Sequence, residues 1–297
     1  MSRILILGGG GMLGHKLCHE LSGDGHEVFA TVRDKANSYR EYAEVFAGTT
    51  LLEGVDVLDE SALLEALNRS SPEVVVNAVG IVKQLPAAQN RLISVAVNSY
   101  LPHRLALCCR QRQCKLIHIS TDCVFSGRHG GYTEQSPSDA EDVYGKSKFL
   151  GETDASQPSA LTLRTSFIGR ELHRPTHGLV EWFLAQKGRV KGFRKALYTG
   201  LTSRELCRVI SLVIEKHRDL AGVYQVASET INKYDLLMLI RKVYGLDIEI
   251  EPQDDFVCDR SMSAEAFTKA TGYSAPAWAA MIKDMHDDPL PYSSWHC

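Results

Sequence analysis

The stretch ILILGGGGMLGHKL, residues 4–17, constrains the fold more than any other. Ile4 to Leu7 read as a buried strand, and Met12 to Leu21 has helical spacing. Between them stand Gly8, Gly11 and Gly14, in GxxGxxG spacing. A strand that turns at once into a helix needs backbone dihedrals that glycine alone adopts freely. Missing side chains also let an anion approach the backbone, and the N–H groups that open the helix, those of Met12, Leu13 and Gly14, then point at it. Strand, glycine turn and helix in that order predict a pyrophosphate-binding unit; the alternative is a glycine-rich turn that holds no ligand.

The rest of the first half repeats this alternation. Candidate strands Arg3–Leu7, Glu27–Val32, Glu73–Val79, Lys115–Ser120 and Ala160–Thr165 are separated by helical patterns, among them Leu92–Cys109. That order predicts α/β architecture, a doubly wound parallel (Rossmann) sheet. After about residue 170 the alternation lapses, and a helix-like Leu179–Gln186 precedes a basic segment, 187–195. We therefore expect a dinucleotide-binding domain over 1–170 and a smaller C-terminal α/β substrate-binding region over 171–297. The first would be rejoined at about 205–228, where Val223–Ala227 could return as a strand.

Composition narrows the partners. Charged residues are 23% and the formal net charge is -3, so no basic surplus points to nucleic acid or an anionic membrane. A small or phosphorylated partner fits better. The apolar run Ile4–Leu7 is too short for a secretion signal, and no later window approaches a membrane span. The eight cysteines show neither a CxxC pair nor zinc-like Cys/His spacing, which predicts free thiols, no metal and a reducing cytoplasm. Cys108, Cys109 and Cys114 read as packing residues.

In DAEDVYGKSKFLGE, residues 139–152, Tyr144 and Lys148 lie one helical turn apart and share a face. Such a pair can share a ligand or belong to an ordinary solvated surface. The second strand runs into Arg33 with no carboxylate at its end. An arginine there suits a ribose 2′-phosphate, whereas a carboxylate would suit the 2′-OH, so NADP(H) is favoured over NAD(H). Asp34, which follows directly, leaves the opposite preference open.

Assembled, the glycine loop, the strand order and the YxxxK pair make the chain resemble the extended short-chain dehydrogenase/reductase family. Within it the likeness is to the dTDP-4-dehydrorhamnose reductases. HISTDCVFSG, YTEQSPSDAEDVYGKSKFLGE and LTLRTSFIG match that group's segments in order and spacing, and DRSMSAEAFTKATGYSAPAW is similar to its closing pattern. Two departures stand out: Leu7 where the family often has threonine, and Phe167 where tryptophan commonly follows RTS. The second bears on the sugar pocket.

The resemblance implies roles. Tyr144 would give a proton to the carbonyl oxygen of a keto sugar. Lys148 would lower the tyrosine's pKa and bond the nicotinamide ribose. Thr121 would donate to the developing oxyanion, although STD also reads as a helix cap and turn. Ser120 or Asp122 would meet sugar hydroxyls. Asn77, Ala78 and Gly80 would let the cofactor lie against the chain, Asn98 would brace the site, and Asp56 with Val57 would meet adenine. Lys83, Arg170, Arg194 and Arg260 are cations able to meet a nucleotide diphosphate, Arg260 first because it sits in the matched closing pattern.

The activity so implied is NADPH-dependent reduction of a nucleotide-linked 4-keto-6-deoxysugar for surface polysaccharide synthesis, by an enzyme that is commonly a homodimer. Two other readings share the fold: a sugar-nucleotide epimerase, and a nucleotide-binding regulatory subunit like the methionine adenosyltransferase β subunit.

Overall fold

The protein is described from a computed structural model that covers residues 1–81, 90–154, 156–173 and 175–296. Its first half builds strand β1 (Arg3–Leu7), helix α1 (Met12–Gly23), β2 (Glu27–Thr31), β3 (Thr49–Leu52), α2 (Glu60–Ser70) and β4 (Val74–Asn77). Then come α3 (Arg91–Ser94), a π-helical stretch (Val95–Tyr100), α4 (Leu101–Arg112), β5 (Lys115–Thr121), α5 (Val143–Leu150) and β6 (Ala160–Thr165). The second half contains β7 (Phe167–Ile168), α6 (Leu179–Leu184), β8 (Gly188–Phe193), β9 (Ala196–Tyr198), β10 (Leu201–Thr202), α7 (Ser203–Lys216) and β11 (Gly222–Gln225). It closes with β12 (Ile231–Asn232), α8 (Lys233–Tyr244), β13 (Ile248–Gln253), β14 (Cys258–Asp259), α9 (Glu265–Thr271), α10 (Trp278–His286) and α11 (Tyr292–Trp295).

Seven strands form one sheet in the order β11-β6-β5-β4-β1-β2-β3, every pairing parallel. Parallel strands need crossovers, and helices supply them on both faces. Alternation along β1 divides the core accordingly. Ile4 and Ile6 pack with Leu13 and Leu17 of α1 and Val209 and Val213 of α7, while Leu5 and Leu7 pack with Leu63 and Leu67 of α2 and Leu101 and Leu105 of α4. All four strand residues are fully buried, as the unbroken apolar run requires. The order reverses between β1 and β4, and the crevice outside their carboxyl ends is where such sheets take ligands.

Several expected boundaries move. The second strand ends at Thr31, one residue early, and the third is shorter at both ends, Val74–Asn77 in place of Glu73–Val79. The single helix read over Leu92–Cys109 is instead interrupted by the π-helical turn, within which Asn98 lies. Thr49–Leu52, with only four residues, is an edge strand with too little alternation to be recognised. β11 lies at Gly222–Gln225, where Val223–Ala227 was expected, and pairs in parallel with β6 at the edge of the main sheet. Outside that sheet, β8 pairs with β13, β7 with β10, and β9 lies between β12 and β14.

Candidate active site

The glycine turn is built by backbone contact. Gly8 adopts φ +85°, and a Cβ there would stand 2.9 Å from Val79 Cγ2 at the exit of β4. A Cβ on Gly14 would collide with the Gly8 carbonyl oxygen. Helix α1 therefore starts flush against the turn, with Gly11 at its N-cap, no side-chain cap and no acidic residue in its first turn. The first-turn N–H groups of Met12, Leu13 and Gly14 are thus left for an anion. A cradle that any side chain would fill, with uncapped donors at its floor, fits the pyrophosphate of a dinucleotide.

Beside it, β5 ends at Thr121. The Thr121 hydroxyl accepts from Cys123 N at 3.1 Å and caps the short 3₁₀ turn Asp122–Val124, while donating to Asp122 Oδ1 at 3.1 Å. The capping role and proximity to the tyrosine occur together, because the Thr121 hydroxyl lies close enough to the Tyr144 phenol to act on it. Gly145 explains how: a Cβ at this position would collide with the Cys123 carbonyl oxygen, so α5 lies backbone-to-backbone on the turn. Gly151 does the same at the other end of α5, against the Asn98 carbonyl. YGKSKFLG thus carries a glycine at each point of close approach.

Asn98 ties this layer together. Its Oδ1 accepts from Ile81 N at 2.9 Å, and its Nδ2 donates to Ile81 O at 3.2 Å and to Ser147 Oγ at 3.1 Å. The π-helical turn aims the asparagine into this position, a use such turns commonly have. Lys148 Nζ donates to Ile119 O at 2.6 Å and lies 4.0 Å from where a Gly80 Cβ would stand. Burial brings the Lys148 ammonium down to about 8, with Glu152 opposing.

The expected effect of Lys148 on the phenol is not what the structure shows. Burial, followed by Cys123, Asp122 and Asp142, raises the Tyr144 pKa above its ordinary value, and only the Thr121 hydroxyl opposes them. The reason is geometric: the lysine is turned to the Ile119 carbonyl. A phenol so raised stays protonated across the neutral range, which suits a proton donor.

Residues 1–289 match the family described as RmlD substrate binding domain. The chain belongs to that family. A probable low-salt glycan biosynthesis reductase, Agl14 of Haloferax volcanii, is 31% identical over 55% of this chain and 52% of its own. The dTDP-4-dehydrorhamnose reductase of Mycobacterium tuberculosis is 28% identical over 56% and 50%. The chain spans about half the length of these two relatives. The β subunit of methionine adenosyltransferase 2 from Danio rerio is 25% identical over 82% of this chain and 74% of its own. Among solved structures, a dTDP-4-dehydrorhamnose reductase from Bacillus anthracis in complex with NADP has a TM-score of 0.77 at 17% identity, covering 96% of this chain and 99% of that one. It shares the RmlD fold.

Within the RmlD fold the remaining expected residues separate. Arg260 belongs to the Thr121 cluster: its Nε donates to Phe125 O at 3.0 Å and its Nη1 to Cys123 Sγ at 3.5 Å. Asp122, almost fully buried, is one of its charge neighbours. Phe167, partly buried, lies in β7, and the adjoining Gly169 abuts Met12, so this strand overhangs the glycine turn.

Others are committed elsewhere. Arg170 is ion-paired with Glu181 and stacked on Tyr292, and Arg194 is paired with Asp254 at the β8–β13 edge; each guanidinium is occupied inside its own region. Ser120 donates to Glu152 at 2.6 Å, and Glu152 also holds Arg164, which turns the serine hydroxyl away from a sugar. Asn77 is fully buried, donating to His118 and accepting from Val79 N, so it shapes the exit of β4 with its side chain. Asp56 accepts from Leu58 N in an exposed turn, with Val57 half-buried beside it. Arg33 and Asp34 are exposed after β2, and the charges of both reach the Tyr39 phenol, whose ring stands against Gly10. Lys83 lies outside the described residues.

Lys233 and Tyr198 were not anticipated. Lys233 Nζ lies 3.8 Å from the centroid of the Tyr198 ring, near the charges of Asp122 and Arg260. The one signal in the sequence was a lysine directly after Asn232, the N-cap of α8, where a cation opposes the helix dipole.

Proposed function

We propose that the chain is an NADPH-dependent reductase of a nucleotide-linked 4-keto-6-deoxysugar, acting in the cytoplasm in surface polysaccharide synthesis. The observation that carries this reading is the convergence of Thr121, Tyr144 and Lys148 at the carboxyl edge of the sheet, beside the glycine cradle. Bound in the cradle, the dinucleotide supplies the hydride. Tyr144 holds the proton that the carbonyl oxygen takes up, and the Thr121 hydroxyl beside it would turn its one O–H from Asp122 Oδ1 to the growing negative charge. Lys148, anchored on Ile119 O, presents its remaining N–H donors toward Gly80, where the nicotinamide ribose would lie. Asn98 and Ser147 fix α5 in the orientation that these distances need.

Arg33 supports NADPH over NADH. A guanidinium contact to the 2′-phosphate is charge-assisted and worth roughly 1.5–3 kcal/mol, so Arg33→Ala should weaken NADPH about ten- to a hundredfold and leave NADH nearly unchanged. Fluorescence titration of both cofactors checks this. Equal weakening of the two would give Arg33 a structural role only.

The long alignment with the methionine adenosyltransferase subunit favours a regulatory reading as the second choice. Net NADPH loss with a nucleotide-linked 4-keto-6-deoxysugar supports the reductase, and isomerisation without net loss would mean an epimerase. Silence with the candidate sugars would favour the regulator. We also propose that two copies of the chain associate, the exposed Val95, Tyr100, Phe149 and Leu150 being the apolar side chains available to such a contact. Light scattering that gives the mass of one chain would overturn that proposal.

A further inference from the structure

Strand β9 is the centre of a small sheet with a single topological effect. Asn232 of β12 pairs with Leu197 on one flank and Asp259 of β14 pairs with the same residue on the other. The residues that follow those two strands, Lys233 and Arg260, are thereby delivered to either side of Tyr198 and toward the Thr121 turn. The arrangement is unfavourable for the chain alone. Lys233 is the first residue of α8, where the helix dipole opposes a cation. Its ammonium sits over the Tyr198 ring and makes no ion pair or hydrogen bond among the described residues. Tyr198 itself is 3% exposed, and its hydroxyl has no partner among the described residues. A buried phenol left without a partner is destabilising unless something else completes it.

Across from these groups stands Asp122. Its Oδ1 accepts from Thr121, and its charge reaches both Tyr198 and Lys233. Arg260, which follows β14, bonds Phe125 O and Cys123 Sγ and so holds the small sheet against the Thr121 turn, with the Lys233 ammonium, the Tyr198 phenol and the Asp122 carboxylate gathered on that side. A diphosphate would be repelled by Asp122. A hydroxyl suits the set, since it donates to the carboxylate and accepts from the cation.

We propose that Lys233, Tyr198 and Asp122 form a subsite for the hydroxyl group on the carbon next to the reacting carbonyl of the sugar, and that the site selects for that hydroxyl. Lys233 is the residue that sets this specificity. The inference rests on the reductase reading for the position of the carbonyl, but its test does not require turnover.

A nucleoside-diphosphate-linked 6-deoxyhexose and its analogue lacking that hydroxyl are titrated by calorimetry into the NADP⁺-loaded protein. Wild type should favour the hydroxylated ligand by about tenfold or more, the scale of one hydrogen bond to a charged group. Lys233→Met should bind both ligands alike, with NADP⁺ affinity and melting temperature unchanged, and Lys233→Arg should restore part of the preference. A preference that survives in Lys233→Met, or a wild type that shows none or binds neither ligand, overturns the subsite. Lost NADP⁺ affinity in Lys233→Met would also overturn it, since the lysine would then serve the cofactor. A wild type that shows the preference yet never oxidises NADPH contradicts the reductase and leaves the subsite standing.

Discussion

Tyr144 and Lys148 are separated by one helical turn, yet the structure gives them different neighbours, and each predicts a different measurement. Tyr144 lies beside Thr121 and is kept protonated by burial and by the negative groups around it. Tyr144→Phe should lower turnover at least about a hundredfold with little change in NADPH affinity, because only the proton is removed. Turnover within a few-fold of wild type would reject it as the donor. Lys148 is different, since burial lowers its pKa from 10.5 to about 8. Its charged form is disfavoured by folding, so between about 8 and 10.5 the unfolded chain holds more protons and stability rises with pH. Function runs the other way: the cation is lost as pH climbs through about 8. In the free enzyme kcat/KM for NADPH should fall across that window, and Lys148→Arg should move the fall upward. A flat profile in wild type would deny the ammonium a role. Both residues were legible from YxxxK, but the direction of the tyrosine shift was not. Pattern gives adjacency, whereas the shift depends on which way each side chain turns and what surrounds it.

At the scale of elements, what the sequence makes visible is what local pattern determines. ILIL and Ala160–Thr165 appear as strands with the expected limits because the run of buried residues defines them. β3 and the π-helical turn escape notice, since the first is a short edge strand and the second is set by tertiary bonds from Asn98 to Ile81 and Ser147. The occupied arginines have the same origin. Nothing local announces that Arg170 will meet Glu181 or Arg194 will meet Asp254.

Glycine placement is the exception, because a missing Cβ marks contact between elements. Gly145→Ala would push α5 off the Cys123 carbonyl, destabilising by about 1–3 kcal/mol and lowering turnover at least about tenfold as Tyr144 leaves Thr121. Melting and steady-state assays together check this, and unchanged turnover would mean that the helix position tolerates more than the geometry suggests. The closing helix α11 is held in a comparable way. His15 Nδ1 donates to Gly11 O at 2.9 Å, which leaves Nε2 to accept from the Tyr292 hydroxyl at 2.8 Å. Burial lowers the His15 pKa to about 3, so folding keeps it neutral and stability falls as pH drops from about 6.5 toward 3. His15→Gln should flatten that acid limb in pH-dependent melting; an unchanged limb would assign it to other groups.

For the whole molecule, the sheet order places the glycine turn and Thr121 on one edge, and the second half of the chain brings Lys233 and Arg260 to the same place from the two flanks of β9. The central claim is that this edge delivers hydride to a sugar carbonyl while Tyr144 delivers the proton. Deuterium on the transferable position of NADPH tests it most directly, with a nucleotide-linked 4-keto-6-deoxysugar as acceptor and mass spectrometry of the product. The account predicts that the ring carbon that bore the carbonyl gains the deuterium as NADPH is consumed, and that Tyr144→Phe suppresses both together. An unlabelled product, or an isomerised sugar with the NADPH pool intact, would contradict it.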